Sequence, residues 1–403
     1  MAGVAYNVQQ VKLGSVIQQI RGVSYKPNDI RDSEDSDAVA LLRANNIQDS
    51  GLNFDDLVYV DKNMVNPEQM IHKGDIVICA SSGSKSLVGK AAMADEDLPY
   101  AFGAFCKVAR VKEMNEAYVG YFFQSPRYRQ AISAASAGAN INNIRNEHIN
   151  EMLIPVYPET TQRRIASTLD AVTTLMAKRH QQLDALDQLV KARFVEMFGD
   201  LADPNCTWEK KKLADTCKND DDIKCGPFGT QLGKDEYCTS GIAVWEIPQI
   251  NSGFKTKPTH FLTEEKAGQL SAYSIKAGDI AMSRKGNVGR CAVFPKSLDD
   301  GIIHSDVLRI RVDDEQVLPV FMMCQLHYSG AVQHQIELVS SGAIMAGINV
   351  TKLKQIEVFV PPLELQNQFA AFVTQVDRSK AAVQQSLQSL ETLKKSLMQQ
   401  YFG

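Results

Sequence analysis

The sequence predicts a mixed α/β (α+β) fold in which two tandem globular modules are separated by two long antiparallel coiled-coil helices. Three observations predict this fold. The chain repeats itself, each copy ends in a heptad pattern, and each module carries a short apolar strand after a Gly-Asp turn. Because the two copies make up nearly all of the 403 residues, we expect an internal pseudo-two-fold repeat.

The repeat is clearest in the last part of each copy. Residues 158–199 align without a gap with residues 362–403, and both segments begin with proline and end in Phe-Gly. The segments ahead of them repeat more loosely, with a variable offset that indicates loop insertions. We therefore expect a first module over 1–157, a helix over 158–199, a second module over 200–361 and a helix over 362–403.

Both gapless segments are predicted to be long helices. Each begins at a proline, which the first turn of a helix tolerates, and then places mostly apolar residues in steps of three and four. Such a helix extends about 60 Å, more than one module covers, so we expect the helices to pack on each other. The alternative is that each helix lies on its own module as ordinary core. The residues expected to form the spacer coiled coil are Ile165, Leu169, Val172, Leu183 and Leu186 in the first helix and Phe369, Val373, Val376, Leu387 and Leu390 in the second.

A basic loop that contains glycine follows the Gly-Asp-Ile strand in both modules. The loops span residues 81–90 and 283–290, and residues 224–233 form a further glycine-punctuated turn. Small residues let the backbone approach a phosphate group, and lysine or arginine neutralises its charge. Threonine and glutamine suit phosphate oxygens or base edges. The alternative is a solvated hairpin tip with ordinary surface charge.

These loops supply the candidate DNA-binding residues. The counterpart of the 224–233 turn in the first module, near residues 21–26, carries a weaker signal. The candidates are Lys85, Lys90, Thr230, Gln231, Arg284, Lys285, Asn287 and Arg290.

The charge of the chain limits how it can bind DNA. A net charge of −4 excludes a generally basic nucleic-acid coat, but it is compatible with basic groups confined to a few loops. A chain with two similar globular modules suits a ligand with two separated half-sites, and duplex DNA is the obvious candidate.

The sequence lacks the motifs of the common catalytic and metal sites. The seven histidines form no His-x-x-x-His pair, the eight cysteines form no Cys-x-x-Cys pair, and no Gly-x-Ser-x-Gly motif occurs. We therefore expect a binding protein without a metal site and with free thiols. No apolar run is long enough for a membrane helix and the N-terminus lacks a signal-peptide pattern, so we expect a cytoplasmic protein.

The order and duplication of these motifs resemble the specificity (S) subunits of type I restriction–modification systems, the HsdS family. The resemblance covers essentially the whole chain. It rests on a Pro-x-x-x-Gln start and a Phe-Gly end in both helices, on the Gly-Asp-Ile strand and basic loop of each module, and on the turn Gly226-Pro227-Phe228-Gly229. The first module lacks a clear version of this turn.

The resemblance implies a non-catalytic subunit for DNA recognition. Each module is then a target recognition domain that reads one half of a bipartite, asymmetric site in double-stranded DNA. The helices set the gap and dock two methyltransferase (M) subunits, and two restriction (R) subunits complete the complex. S-adenosylmethionine, ATP and Mg²⁺ are then held only by partner subunits, and this chain carries no cofactor.

Two other classes of protein remain compatible with the residues. One is a sequence-specific or architectural DNA-binding protein outside restriction, which would bind DNA without a methyltransferase. The other is a coiled-coil scaffold that binds only protein, in which the basic loops would have no ligand.

Overall fold

The fold consists of two compact units, and each unit contains parts of both long helices. The first comprises Met1–His180 and Gln385–Gly403, and the second comprises Gln181–Gln384. The sequence predicted another division of the chain, into two modules and two separate helices. The boundaries of that division remain a prediction. The computed structural model describes residues 8–48, 50–84, 86–137, 143–199, 203, 206–340 and 347–403.

The first module is built on an antiparallel sheet of four strands in the order β2-β10-β7-β8. These strands are Ile17–Arg21, Cys106–Val111, Ile76–Cys79 and Ala91–Met93. A second sheet has the order β6-β3-β9, with β3 and β9 parallel, and comprises Val58–Asp61, Ala38–Leu42 and Tyr100–Phe102. Two strand pairs complete the module, namely β1 with β11 (Gln10–Lys12, Leu153–Pro155) and β4 with β5 (Ile47–Gln48, Gly51–Leu52).

The second module repeats this arrangement. Its antiparallel sheet has the order β13-β20-β17-β18 and comprises Ile223–Cys225, Val307–Ile310, Ile280–Ser283 and Cys291–Val293. The other sheet has the order β15-β14-β19-β16, with β14 and β19 parallel, and comprises His260–Leu262, Ile242–Trp245, Gly301–Ile303 and Ser274–Ile275. The pair β12 with β21 (Glu209–Lys212, Glu357–Val360) matches β1 with β11.

The helices of the modules are short, and those that end each copy are long. In the first module they are α1 (Leu13–Val16), α2 (Glu116–Phe122), α3 (Pro126–Ala137) and α4 (Asn146–Asn150). In the second they are α6 (Ile247–Asn251), α7 (Glu264–Gln269), α8 (Pro319–Tyr328), α9 (Gly330–Ser340) and α10 (Val350–Leu353). The long helices are α5 (Glu159–Phe198) and α11 (Leu363–Phe402), each of 40 residues.

The Gly-Asp turn ahead of β7 and β17 ends in a buried carboxylate. Asp75 and Asp279 accept a hydrogen bond from the backbone of the turn, and each also receives two bonds from an arginine. The arginines are Arg110 on β10 and Arg311 just after β20. The glycine of each turn has a positive φ, a conformation that suits glycine.

A buried glutamine in the first turns of each long helix fastens the helix to its module. Gln162 accepts a hydrogen bond from the backbone N–H of Asn115 and donates to the carbonyl of Tyr157. Gln366 likewise accepts from the N–H of Leu318 and donates to the carbonyls of Gln316 and Pro361. The repeated Pro-x-x-x-Gln motif therefore marks a helix–module junction.

In the first unit the start of α5 and the end of α11 share one core. Ile165 and Leu169 are buried in the same cluster as Phe402, whose ring centroid lies 5.1 Å from that of Tyr118 on α2. The Phe-Gly end of the second long helix thus packs on the first module.

The end of α5 and the start of α11 form the matching core of the second unit. The ring of Phe198 lies 4.8 Å from that of Phe321 and 5.5 Å from that of Phe369. Asp187, further back on α5, forms an ion pair with Lys380, which lies further along α11. The helices therefore run antiparallel there, and the predicted fold class is confirmed.

The ten predicted spacer residues all face away from solvent to some degree. Seven are buried and three, Leu183, Leu186 and Leu390, are half-buried. The long helices pack on each other and also on the modules. The two arrangements that the sequence left open therefore occur together. Among the described helices, none combines the length and apolar composition of a membrane span.

Candidate DNA-binding surface

The turn after β13 is fixed by a close approach of two backbone segments. A Cβ atom at Gly226 would lie 2.3 Å from the carbonyl oxygen of His304, so a larger residue does not fit. Two residues further on, Phe228 is 49% exposed. The Gln231 side chain stabilises this turn, since it accepts from the N–H of Phe228 at 3.1 Å and from the hydroxyl of Tyr273 at 3.0 Å.

Arg284, at the end of β17, is held against this turn. Its Nε donates to the carbonyl of Ile348 at 3.0 Å and Nη1 to that of Ser305 at 3.5 Å, and its guanidinium carbon lies 4.8 Å from the ring centroid of Phe228. Burial raises the pKa of the neighbouring Cys225 thiol, and the charge of Arg284 offsets part of that rise. Three contacts therefore fix the position of a half-buried guanidinium.

Lys285 is paired with a carboxylate. Its Nζ lies 2.9 Å from Oδ1 of Asp306, and the backbone carbonyl of Asp306 accepts from the N–H of Arg284. Nδ1 of His304 lies 3.8 Å from the other carboxylate oxygen. The positive charge of Lys285 is thus partly neutralised, and the guanidinium of Arg284 is the main positive charge next to the 226–231 turn.

The remaining predicted residues of the second module are exposed. Thr230 follows Phe228 on the turn, and Asn287 and Arg290 lie on the loop between β17 and β18. Gly289 in this loop packs against Ile336 of α9, where a Cβ would lie 3.1 Å from the isoleucine. The structure thus brings Arg284 and the 226–231 turn into contact, and it places Asn287 and Arg290 on a loop anchored to the module.

The first module has the same backbone framework. A Cβ at Gly22 would lie 2.2 Å from the carbonyl oxygen of Gly103, which is the approach seen at Gly226. Ala80 donates its N–H to the carbonyl of Phe105 and accepts from the N–H of Ile144. Arg284 makes the same two backbone bonds in the second module, with Asp306 and Ile348 respectively.

These shared bonds show which side chains are equivalent in the two modules. Ala80 stands where the second module has Arg284, and Phe105 stands where it has Asp306. Isolated bridges to Asn143 and Gly347 likewise match Ser81 with Lys285. One framework therefore presents a cationic, ion-paired surface in the second module and a small, apolar and hydroxyl-bearing surface in the first.

A cavity of about 640 Å³ opens at this position in the first module. Ser24 and Tyr25, which follow Gly22, line it together with Arg43 and Asn45. Phe105 lies at its wall and is 70% exposed. The weak sequence signal near residues 21–26 thus marks the counterpart of the 224–233 turn.

Two of the predicted DNA-binding residues, Lys85 and Lys90, belong to the first module. Lys85 lies outside the described residues. Lys90 lines a cavity of about 380 Å³, together with Arg129 and with Glu391 and Lys394 of α11. It also lines a cavity of about 450 Å³ with Asn45, which lines the 640 Å³ cavity as well.

The sequence indicated Tyr25 only weakly, within residues 21–26, and it did not indicate Arg43 or Phe105 as candidate surface residues. Phe105 lies in an apolar stretch, and its exposure depends on a backbone bond to Ala80 that is distant in sequence. The position of Phe105 on this surface is seen only when Phe105 is aligned with Asp306 of the second module. The two copies repeat too loosely in this region for their sequences to show that alignment.

The described part of the chain shows no group of three histidine, cysteine, aspartate or glutamate side chains that could hold a metal ion. The eight cysteines all lie in described ranges and are free thiols. Burial raises the pKa of the Cys79 thiol to about 11 and that of Cys291 to about 12, so neither provides a reactive thiolate near neutral pH.

Comparison with known proteins relates this architecture to one family. Residues 6–186 and 205–392 each match the family model of the type I restriction modification DNA specificity domain. The chain is 27% identical over 407 aligned positions to the EcoKI specificity subunit of Escherichia coli K12 and 29% identical over 413 to the StySPI specificity subunit of Salmonella potsdam. Each alignment covers 97% of this chain and 87% of the relative.

A solved structure has the same fold. The crystal structure of the type I restriction–modification S subunit from M. genitalium superposes with a TM-score of 0.57 at 15% identity, over 100% of this chain and 98% of that one. The tandem match to the family model, over both modules, shows that this chain belongs to the type I restriction modification DNA specificity family.

Proposed function

We propose that this chain is the DNA sequence-specificity subunit of a type I restriction–modification complex. Each globular module reads one half of a bipartite, asymmetric site in double-stranded DNA. The long helices set the gap between the half-sites and dock the methyltransferase subunits. The chain itself is non-catalytic, and it acts in the cytoplasm, where its DNA substrate and partner subunits are available.

One observation carries this proposal. The two modules share a backbone framework down to single hydrogen bonds, yet Arg284 and Asp306 of one module correspond to Ala80 and Phe105 of the other. A shared scaffold with different exposed side chains suits the recognition of two different DNA sequences at equivalent positions.

The proposed DNA contacts in the second module are Thr230, Gln231, Arg284, Lys285, Asn287 and Arg290. In the first module they are Lys85 and Lys90, together with the cavity residues Tyr25, Arg43 and Phe105. Threonine, glutamine and asparagine contact phosphates or base edges, lysine and arginine supply charge, and aromatic rings contact base faces or thymine methyl groups.

The long helices offer equivalent sites for two methyltransferase subunits. Leu189 on α5 and Leu393 on α11 occupy matching positions of the repeat and are 47% and 46% exposed. An apolar side chain left exposed at the same position of both copies favours two copies of one protein partner. Two restriction subunits complete the proposed complex, and S-adenosylmethionine, ATP and Mg²⁺ belong to the partner subunits.

Affinity capture combined with footprinting tests this function. We expect the tagged chain to retain a methyltransferase subunit from its host, and the purified complex to protect two separate patches on target DNA about one helical turn apart. Replacing both exposed leucines, L189E with L393E, is expected to abolish capture, whereas Q181E with Q388E, exposed positions on the same helices, retains it.

Three outcomes would contradict the proposal. A single contiguous footprint contradicts the bipartite model. Specific DNA binding without a captured methyltransferase indicates a DNA-binding protein outside restriction. Capture of protein partners without any DNA protection indicates a scaffold.

A further inference from the structure

We infer that Arg284 reads a guanine in the half-site bound by the second module, through hydrogen bonds to O6 and N7 in the major groove. This inference rests on the proposed function and names the base that the second module recognises at one position. Arginine to guanine is the commonest specific contact between a side chain and a base edge, and it needs two parallel N–H donors.

Contacts within the protein hold Arg284 in place without DNA. A free arginine side chain loses about 2 kcal/mol of rotamer entropy when it is fixed. Here the carbonyls of Ile348 and Ser305 hold Nε and Nη1, and the Phe228 ring lies 4.8 Å from the guanidinium carbon. Much of this entropy is therefore lost when the protein folds and not when DNA binds, which favours recognition of a defined base edge.

Arg284 keeps N–H donors beyond those that hold it in place. A guanidinium has five N–H donors, and the two carbonyls engage one on Nε and one on Nη1. The side chain also forms a hydrogen bond with the Cys225 thiol, so three of the five donors are engaged within the described part of the chain. Nη1 and Nη2 together therefore keep two N–H groups for O6 and N7 of guanine.

The surroundings of Arg284 favour contact with a base over contact with a phosphate. Asp306 lies beside Arg284 through a backbone hydrogen bond, and its carboxylate forms an ion pair with Lys285, which reduces the attraction of Lys285 for a phosphate group. A neutral base edge does not need that second positive charge. The exposed Phe228 ring adds apolar surface next to the guanidinium, which suits a base and not a phosphate oxygen.

The first module provides an internal contrast. Ala80 occupies the position of Arg284 there and has no donor on its side chain. The same contact is therefore absent from the first half-site, and guanine recognition through Arg284 is confined to the second.

Substitution of single guanines by 7-deazaguanine tests the inference, because this analogue lacks the N7 acceptor. The sample is the full chain with its methyltransferase subunit, and the readout is competition binding to a duplex with the complete target. For the wild type we expect one guanine of one half-site at which the analogue weakens binding about tenfold. In R284A and R284M that guanine no longer responds, because neither side chain has an N–H donor.

Controls separate recognition from folding. Both variants are expected to keep the wild-type response at every guanine of the other half-site, which reports an intact complex. The variant R163A removes an exposed arginine on α5 and is expected to leave all responses unchanged.

Two results would overturn the inference. One is a wild-type complex that tolerates 7-deazaguanine at every guanine of both half-sites. The other is an R284M complex that keeps the full pattern of the wild type. A complex without any bipartite preference contradicts the proposed function instead, so the two failures are distinguishable.

Discussion

Arg311 donates two hydrogen bonds, from Nε and Nη2, to the two carboxylate oxygens of Asp279, both at 2.7 Å. The carboxylate is 3% exposed on its side chain. Arg110 makes the same bidentate contact with Asp75 in the first module. The aspartate of the repeated Gly-Asp-Ile motif is therefore a buried anchor that joins the turn before one strand to a neighbouring part of the sheet.

Removing this carboxylate is expected to destabilise the second unit. In D279N the guanidinium of Arg311 loses its counter-charge, and breaking a half-buried pair of this kind costs about 2–4 kcal/mol. Thermal unfolding followed by circular dichroism measures the loss. The control D299N changes an exposed carboxyl group of the same module and should shift stability by less than about 0.5 kcal/mol. Equal melting curves for D279N and D299N would contradict the anchor role.

The junction between α11 and its module depends on Gln366. Its amide accepts from Leu318 N–H at 2.8 Å and donates to the carbonyls of Pro361 at 2.7 Å and Gln316 at 3.1 Å. Because Q366A leaves these buried backbone groups without a partner, we expect a loss of about 1–3 kcal/mol. The Leu318 amide should also exchange hydrogen faster. The variant Q375A, on an exposed part of the same helix, is the control, and unchanged exchange at Leu318 in Q366A would refute the junction.

His327 is expected to make the second unit sensitive to acid. Burial lowers the pKa of His327 to about 4, and its Nε2 accepts a hydrogen bond from the N–H of Cys291, which requires the neutral ring. Below the ordinary histidine pKa of about 6.5 the unfolded chain binds a proton that the folded chain does not, so stability falls as the pH falls toward 4.

The expected loss between pH 7 and pH 5 is about 1–2 kcal/mol. Thermal unfolding at both pH values compares the wild type with H327Q, which keeps a hydrogen-bond acceptor but does not titrate. We expect a smaller decrease in melting temperature for H327Q. A decrease as large as that of the wild type would show that other groups cause the acid sensitivity.

Arg290 is expected to contribute charge without sequence information. It is exposed on the loop between β17 and β18, where it can neutralise a DNA phosphate. In R290A we expect weaker binding to target and non-target DNA alike, and a salt slope smaller by about one. Fluorescence anisotropy at several salt concentrations, on the complex with the methyltransferase subunit, measures this slope.

Lys296 supplies the matched control for this experiment. It is an exposed cation in the same module, but it lies beyond the other end of β18. We expect K296A to leave the salt slope unchanged. If R290A and K296A have the same effect, the loop is not the part of the surface that meets DNA.

The sequence was sufficient to predict the architecture because its strongest signals are local and duplicated. The long helices span Glu159–Phe198 and Leu363–Phe402, which lie in the segments that repeat without a gap, and the Gly-Asp-Ile strands begin at Ile76 and Ile280. Heptad steps and turn residues act over a few positions, so a single sequence reveals them.

The details of the candidate surface could not be predicted, because they depend on contacts between distant residues. Arg284 is a basic loop residue in sequence, and only the folded chain shows that Phe228 and Ile348 hold it. Phe105 is apolar in sequence and exposed in the structure. The pair of Asp279 with Arg311 was not evident from the sequence either. It joins the turn before β17 to the residue after β20, and these lie far apart along the chain.

Methylation sequencing of host DNA, with and without this chain alongside its methyltransferase subunit, tests the central claim most directly. The account predicts a newly methylated motif made of two fixed, different half-sites separated by a gap of constant length and variable sequence. A single contiguous motif, or a methylation pattern that does not depend on this chain, would contradict it.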